Sequence, residues 1–270
     1  MTVHRYLATC PTGVGVLLTQ ELLTLGAEEV VERPVGVSFC GDLALGYRVC
    51  LWSRLANRVL LHLSRVDVEG ADDLYQATKN LSWRSHLTEK STFLVDFSGR
   101  ASWMRNAQFG AQKVKDAIVD QFREAGLSRP SVDLKQPDVR VTVRLSKGQV
   151  TFGIDLSGDS LHRRGYRLDG GLAPLKENVA AAALLGADWP SRSKAGEAFI
   201  DPMCGSGTLL LEAALMALDR APGLSRRQFG FTGWLGHDAA QWAAIRGEAK
   251  ARSGMSGGEI EIRGYDADIR

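Results

Sequence analysis

The chain has 270 residues, of which 44% are apolar and 24% charged. Those proportions belong to a folded globular protein, which excludes a chain that is mostly disordered, and the length exceeds the roughly 100–150 residues of one typical domain. With 33 basic against 31 acidic residues the formal charge is only +2, so binding to nucleic acid by bulk charge is excluded and would have to come from local patches.

The first sixty residues predict a β-α-β start. Arg5–Thr9 is a short strand, Gly15–Leu25 an amphipathic helix stopped by Gly26, Val35–Cys40 a second strand and Tyr47–Leu55 another helix. From Val59 to Leu156 the rhythm is similar. Arg58–Val66 reads as a strand, Ala71–Asn80 as a helix and Thr92–Phe97 as a strand. Asn106–Ala125 is the clearest helix, with Val114, Ala117, Ile118 and Phe122 at three- and four-residue steps. Val139, Val141, Val143 and Leu145 then alternate with polar residues, Gly148 marks a turn, and Val150–Leu156 returns as a hairpin strand.

The polar, basic segment Ser157–Asp169 reads as a domain boundary. Beyond it come a helix over Lys176–Leu185, a short strand Glu197–Asp201, a glycine loop Pro202–Gly207 and an apolar helix Thr208–Leu218. An irregular Gly- and aromatic-rich insertion, Ala221–Gly236, precedes a helix His237–Arg252 and a strand Glu259–Gly264. Strand, glycine loop, helix, strand and acid form the opening of a doubly wound α/β sheet.

Cys10, Cys40, Cys50 and Cys204 form no CxxC pair and have no histidine at ligand spacing, so neither a metal site nor a disulfide framework is expected. The sequence MTVHRYLATC carries no signal-peptide pattern, and the longest apolar stretches fall far short of a membrane span. A cytoplasmic protein with no membrane partner is the expectation.

The most informative stretch is Asp201-Pro202-Met203-Cys204-Gly205-Ser206-Gly207-Thr208. It leaves a strand and opens a helix, so its glycines permit close backbone approach and the helix offers unpaired N–H groups. The third glycine of a dinucleotide fingerprint and the lysine of a P-loop are both missing. A carboxylate at the strand end argues for a cationic amine at Asp201, as in a methionine-derived cofactor.

This octapeptide resembles the cofactor loop of S-adenosylmethionine-dependent methyltransferases, in the form found in THUMP-containing RNA methyltransferases. Leu161–Arg167 and Ala173–Glu177 are similar to the segment preceding the catalytic sheet in that family. Phe229-Gly-Phe231 and Trp234–Asp238 look like the insertion of the bacterial large-subunit ribosomal RNA guanine-N2 methyltransferases, and Gly264–Asp268 resembles the end of their second sheet strand. The resemblance implies a ferredoxin-like piece over 1–58, a THUMP RNA-binding domain over 59–156 and the start of a Rossmann-like methyltransferase domain over 157–270: α+β followed by α/β. It implies S-adenosyl-L-methionine as cofactor, held by Asp201 at the ammonium, by Pro202 and the Cys204–Thr208 loop, and by Asp266 at the ribose hydroxyls, with Asp268 as the alternative for the last role. The implied activity is methylation of a guanine N2 in large-subunit ribosomal RNA; a transfer-RNA guanine methyltransferase of the same architecture, or an RNA-binding module without activity, are the alternatives.

The family's Asn-Pro-Pro-Tyr catalytic element does not occur in this sequence. The 270 residues are therefore expected to be the N-terminal part of a longer enzyme, truncated within its methyltransferase domain, with the catalytic element and any further catalytic domain lying beyond Arg270. For RNA, Arg100, Trp103 and Arg105 combine cations with an aromatic, which suits phosphate contact and base stacking. Arg163, Arg164 and Arg167 stand equally for a nucleic-acid contact or an interdomain salt-bridge strip. Lys113 and Lys115 read as an ordinary solvated helix face, Cys204 as a small buried filler, and His4, His62 and His86 as structural.

Overall fold

A computed structural model describes residues 2–167, 175–254 and 260–267. The chain divides into two compact units, one made of Met1–Val59, Asp159–Arg227 and Ala239–Arg270, the other of Leu60–Gly158 and Gln228–Asp238.

The first unit opens with β1 (His4–Thr9), α1 (Gly15–Thr24), β2 (Glu28–Arg33), β3 (Gly36–Gly41) and α2 (Leu43–Trp52). β3 lies between β2 and β1, antiparallel to both. Tyr6 stacks on Phe39 at 5.0 Å between ring centroids, and Leu18, Leu22 and Tyr47 are buried with them. α2 begins four residues before the expected Tyr47 because Asp42 caps it, its carboxylate accepting the Leu45 N–H at 2.8 Å. β2 is an unforeseen strand: its charged residues leave only Val30 half-buried, so no alternation announces it.

The second unit contains β4 (Arg58–Asp67, of which Leu60 onward belongs here), α3 (Ala71–Lys79), β5 (Thr92–Ser98), α4 (Ala107–Glu124), β6 (Ser131–Val132), β7 (Val139–Ser146) and β8 (Gln149–Asp155). Its strand order is β4-β8-β7-β5-β6, antiparallel at β4–β8 and β8–β7, and parallel at β7–β5 and β5–β6. The hairpin closes in register, Ser146 opposite Gln149, through Lys147 and Gly148, both with positive φ (52° and 74°), which is the twist a tight hairpin turn needs. Val139, Val141, Val143 and Leu145 are buried as their alternation predicts, and so are Val114, Ala117, Ile118 and Phe122 of α4. α4 starts on Asn106, whose side chain accepts the Phe109 N–H at 2.8 Å.

The first unit resumes with α5 (Glu177–Gly186), α6 (Trp189–Lys194), β9 (Phe199–Asp201), α7 (Thr208–Ala217), α8 (Ala239–Arg252) and β10 (Ile262–Gly264). β9 and β10 pair in parallel with Gly264 opposite Asp201. Leu184, Trp189 and Ala213 form the local core, with Phe199, Leu209, Met216, Ile260 and Ile262 packed on it. α6 was not expected; its Trp189 anchors it by donating Nε1–H to the Ala213 carbonyl at 3.0 Å. Among the described residues no helix is long and apolar enough to cross a membrane, and no group of three or more His, Cys, Asp or Glu could hold a metal ion.

Candidate functional site

The carboxyl ends of two parallel strands carry the site. β9 ends at Asp201, whose Oδ1 accepts the Met203 N–H at 3.1 Å and whose carbonyl accepts the Tyr265 N–H at 2.9 Å. Cys204 returns the link by donating its N–H to the Tyr265 carbonyl at 2.9 Å. Asp266 Oδ2 accepts the Gly205 N–H at 2.7 Å. The loop between β9 and α7 is thus stitched to the chain leaving β10, and two carboxylates stand at neighbouring strand ends, where ligands of doubly wound sheets bind.

The loop's path requires its glycines. Gly205 has φ +51° and Gly207 φ +74°, a region that other residues adopt only with strain. A side chain at Gly205 would meet nothing within 4 Å, so the loop faces open space that a ligand can fill. Pro202, Met203, Gly205 and Ser206 are exposed, Asp201, Cys204 and Gly207 are half-buried, and Thr208 is buried. Gly207 stands at the N-cap of α7 and provides no side-chain cap, so the first-turn N–H groups are left for another acceptor. The structure therefore brings Asp201, the 202–208 loop and Asp266 together. Asp268, Ala173 and Pro174 lie outside the described residues.

The three arginines expected together part company. Arg163 is exposed. Arg164 is 1% exposed, with Nε 3.4 Å from Glu212 Oε1, NH1 donating to the Leu161 carbonyl at 2.8 Å and NH2 to the Arg54 carbonyl. Tyr166 adds its hydroxyl to the same Glu212 oxygen at 3.0 Å. This corrects the reading of Arg164 as an RNA contact: a buried guanidinium already engaged by protein acceptors has no surface for a phosphate. Its partner Glu212 is the lone charge in the apolar run of α7, a sequence signal that this residue needs a partner but not of which arginine supplies it. Close by, Glu21 accepts from Ser53 Oγ at 2.5 Å and from the Arg54 N–H at 2.7 Å. Burial pushes the Glu21 carboxyl up in spite of these bonds.

Arg167 belongs to the cofactor loop's surroundings. Its Nε donates to Glu177 Oε1 at 3.1 Å, and its NH2 to Thr208 Oγ1 and the Leu175 carbonyl, both at 2.9 Å. His162 Nδ1 lies 3.0 Å from the other Glu177 oxygen. Burial raises the Glu177 carboxyl, but the His162 hydrogen bond and the Arg167 charge outweigh it and leave the group below its ordinary value. Both arginines are thus held by ion pairs within one unit.

In the second unit Arg100 and Arg105 are exposed and Trp103 is half-buried, in the stretch leading into α4. Arg100, Met104, Arg105 and Asn106 line a cleft of about 330 Å³ there. Lys115 pairs with Asp116 at 2.6 Å and Lys113 lies 6.0 Å from the centre of the Phe109 ring; both are half-buried, less solvated than the expected open face.

Comparison with known proteins gives three successive family matches: an RlmL ferredoxin-like domain over residues 5–60, a THUMP domain over 68–155 and an RMKL-like methyltransferase domain over 164–270. The chain is similar to the ribosomal RNA large subunit methyltransferase K/L of Cellvibrio japonicus, 52% identical over 99% of this chain and 36% of that protein. The protein of the same name from Pseudomonas aeruginosa is 51% identical over 99% of this chain and 37% of its own length. The chain thus spans little more than a third of these curated relatives. Among solved structures, a predicted N6-adenine-specific DNA methylase from Listeria monocytogenes superposes with a TM-score of 0.87 at 32% identity, covering 100% of this chain and 69% of that one. A putative methyltransferase crystallised with SAH gives 0.87 at 29% identity, covering 100% and 70%.

Proposed function

The chain belongs to the family of THUMP-containing, RlmL-like methyltransferases, and on that premise we propose that it captures large-subunit ribosomal RNA and holds S-adenosyl-L-methionine for transfer of a methyl group to the exocyclic N2 of a guanine. Its fold is a ferredoxin-like and a THUMP domain followed by a Rossmann-like methyltransferase fold. Its domains are proposed to run over 1–58, 59–156 and 157–270, in keeping with the family matches at 5–60, 68–155 and 164–270.

The observation that carries the cofactor reading is the pair of carboxylates, Asp201 and Asp266, flanking an open glycine loop, each accepting one N–H group of that loop. The residues fit a ligand with an ammonium, a carboxylate and a diol. Asp201 suits the ammonium, the uncapped first turn of α7 suits the carboxylate, and Asp266 suits the ribose hydroxyls. The relative crystallised with SAH supports a ligand of this chemical class. When bound, the cofactor supplies a methyl group on a sulfonium, already activated toward a nucleophile. The work left to this chain is to hold that group in one orientation and to keep the RNA engaged while the base leaves its stack. Arg100, Trp103 and Arg105 are proposed to contact the RNA, joined by Arg163.

The relatives named for large-subunit ribosomal RNA, at 52% and 51% identity, favour that substrate over transfer RNA. Since the family's Asn-Pro-Pro-Tyr element is absent from the 270 residues, we propose that this chain alone transfers no methyl group. The test is calorimetry and tritium transfer with the full-length protein, undermodified ribosomal RNA and S-adenosyl-L-methionine. Expected are cofactor binding that Asp201→Ala abolishes and a label that maps to a guanine N2. Unchanged affinity in Asp201→Ala overturns the cofactor site, and label on adenine overturns the target.

A further inference from the structure

α7 starts without a side-chain cap: Gly207, in the left-handed conformation, leads directly into Thr208. A Ser, Thr or Asp at that position would normally fix the first turn by accepting one of its N–H groups. A cofactor loop cannot use that device, because the cap would occupy the groups the ligand needs. Something else has to hold the turn still. α5 also begins without a side-chain cap, at Lys176, and has Glu177 as its first helical residue.

Between these two helix starts lies Arg167. One guanidinium nitrogen reaches Thr208 Oγ1 and the Leu175 carbonyl, both at 2.9 Å, while Nε holds Glu177 Oε1 at 3.1 Å. Thr208 is 4% exposed, so its hydroxyl is an inward-facing acceptor and not a solvated one. His162 braces Glu177 from the other carboxylate oxygen at 3.0 Å. A cation at the positive end of a helix is normally unfavourable. Two such ends around one arginine need compensation, which the Glu177 carboxylate provides. An arginine kept against that preference, with its side chain only 19% exposed, is poorly suited to reach an RNA phosphate and well suited to act as a brace.

We infer that Arg167 is a positioning residue of the cofactor site: it clamps the first turn of α7, through the Thr208 hydroxyl, to the start of α5, through Glu177, and so fixes the N–H groups that receive the carboxylate of an amino-acid ligand. The inference rests on the cofactor reading given above. It reassigns Arg167 from the RNA surface to the cofactor side of the protein.

The test is calorimetry of S-adenosylhomocysteine with the full-length protein and its variants, alongside RNA affinity. Arg167→Ala is expected to weaken the ligand about tenfold, the size of one charge-assisted hydrogen bond. Thr208→Val, which keeps the shape and removes the acceptor, is expected to do the same. The double variant should be no weaker than either single one, since both break one clamp. Thr208→Ser should restore affinity to within about twofold, a rescue that a general packing role would not give. RNA affinity should stay unchanged throughout. Wild-type ligand affinity in Arg167→Ala, additive losses in the double variant, or a loss of RNA affinity in place of ligand affinity would each overturn the inference while leaving the cofactor reading in place. A wild-type protein that binds no S-adenosylhomocysteine would overturn both.

Discussion

The indole Nε1–H of Trp234 donates to Nδ1 of His86 at 3.0 Å, and the two rings stack with centroids 5.9 Å apart. The donor fixes the tautomer: Nδ1 is the acceptor, so His86 is neutral with its hydrogen on Nε2. The Leu235 N–H adds a bond to the His86 carbonyl at 3.3 Å, and Phe229 stacks on Phe231 with centroids 5.2 Å apart. A segment that lies in sequence within the methyltransferase half is therefore built into the second unit.

This pair makes stability depend on pH with a definite sign. Burial lowers the His86 pKa from its ordinary 6.5. A histidine lowered in the folded state is kept neutral by folding, so its contribution is fully present above pH 6.5 and is lost as pH falls from there through the lowered value. His237 is lowered by burial as well and acts in the same direction, so only a difference between proteins isolates His86. His86→Phe is expected to cost about 1 kcal/mol at pH 7.5, from the lost hydrogen bond, yet to lose less stability than wild type between pH 7 and 5. Denaturant melts at both pH values decide it; equal losses in the two proteins would remove His86 from the account.

Arg164 and Glu212 give the largest expected change in stability. Their side chains are 1% and 0% exposed, so removing one partner leaves the other charge buried away from water without its direct ion-pair partner, although Arg54 or Glu21 remains close by. Arg164→Ala or Glu212→Ala is expected to cost about 3–5 kcal/mol, whereas Arg164→Met with Glu212→Leu should recover much of that. Urea unfolding of the three variants tests it. A double variant as unstable as the single ones would mean the pair contributes by itself and not through avoided burial.

What the sequence made legible follows periodicity and turn chemistry. α4 and the β7–β8 hairpin stand out because each shows one apolar face at its own period, and each starts or turns on a residue with a physical reason to be there: Asn106 for the helix, Gly148 for the turn. The cofactor loop is legible for the same local reason, since glycines, strand end and helix start are contiguous. β2 is hidden because an edge strand of charged residues has no buried face to announce, and α6 because Pro190 looks like a break when it occupies a first-turn position. Arg164 illustrates the harder limit. Its partner Glu212 lies 48 residues away, and a basic cluster in sequence does not reveal which of its members the fold buries. Arg163, one residue earlier, stays at the surface.

The RNA surface can be tested through salt. Arg100 and Arg105 are both exposed beside α4. If each neutralises one phosphate, replacing both by Ala should reduce the slope of log affinity against log salt by roughly 1.5. Trp103→Ala should instead weaken binding about tenfold, by loss of stacking, with the slope unchanged. Filter binding of ribosomal RNA fragments over a range of salt separates the two effects, and an unchanged slope in the double variant would remove this surface from the RNA contacts.

Asp266 has two separable roles in the cofactor reading. Its Oδ2 accepts the Gly205 N–H at 2.7 Å and so ties the end of β10 to the loop. In the proposed complex its carboxylate also receives the ribose hydroxyls. Asp266→Asn keeps a carbonyl oxygen that can hold the Gly205 N–H but loses the charge and the second acceptor. Asp266→Ala loses both functions, and Gly205, at φ +51°, is then held in its left-handed conformation by one bond fewer. Hydrogen bonds to a charged group contribute about 1.5–3 kcal/mol, which corresponds to roughly tenfold to a hundredfold in affinity. The expected order of S-adenosylhomocysteine affinity in the full-length protein is therefore wild type, then Asn about tenfold weaker, then Ala about a hundredfold weaker. Calorimetry reads the series directly. Equal losses in Asn and Ala would mean that the tie to Gly205 does not help to shape the loop, and a wild-type affinity in Asn would mean that the ribose is held elsewhere.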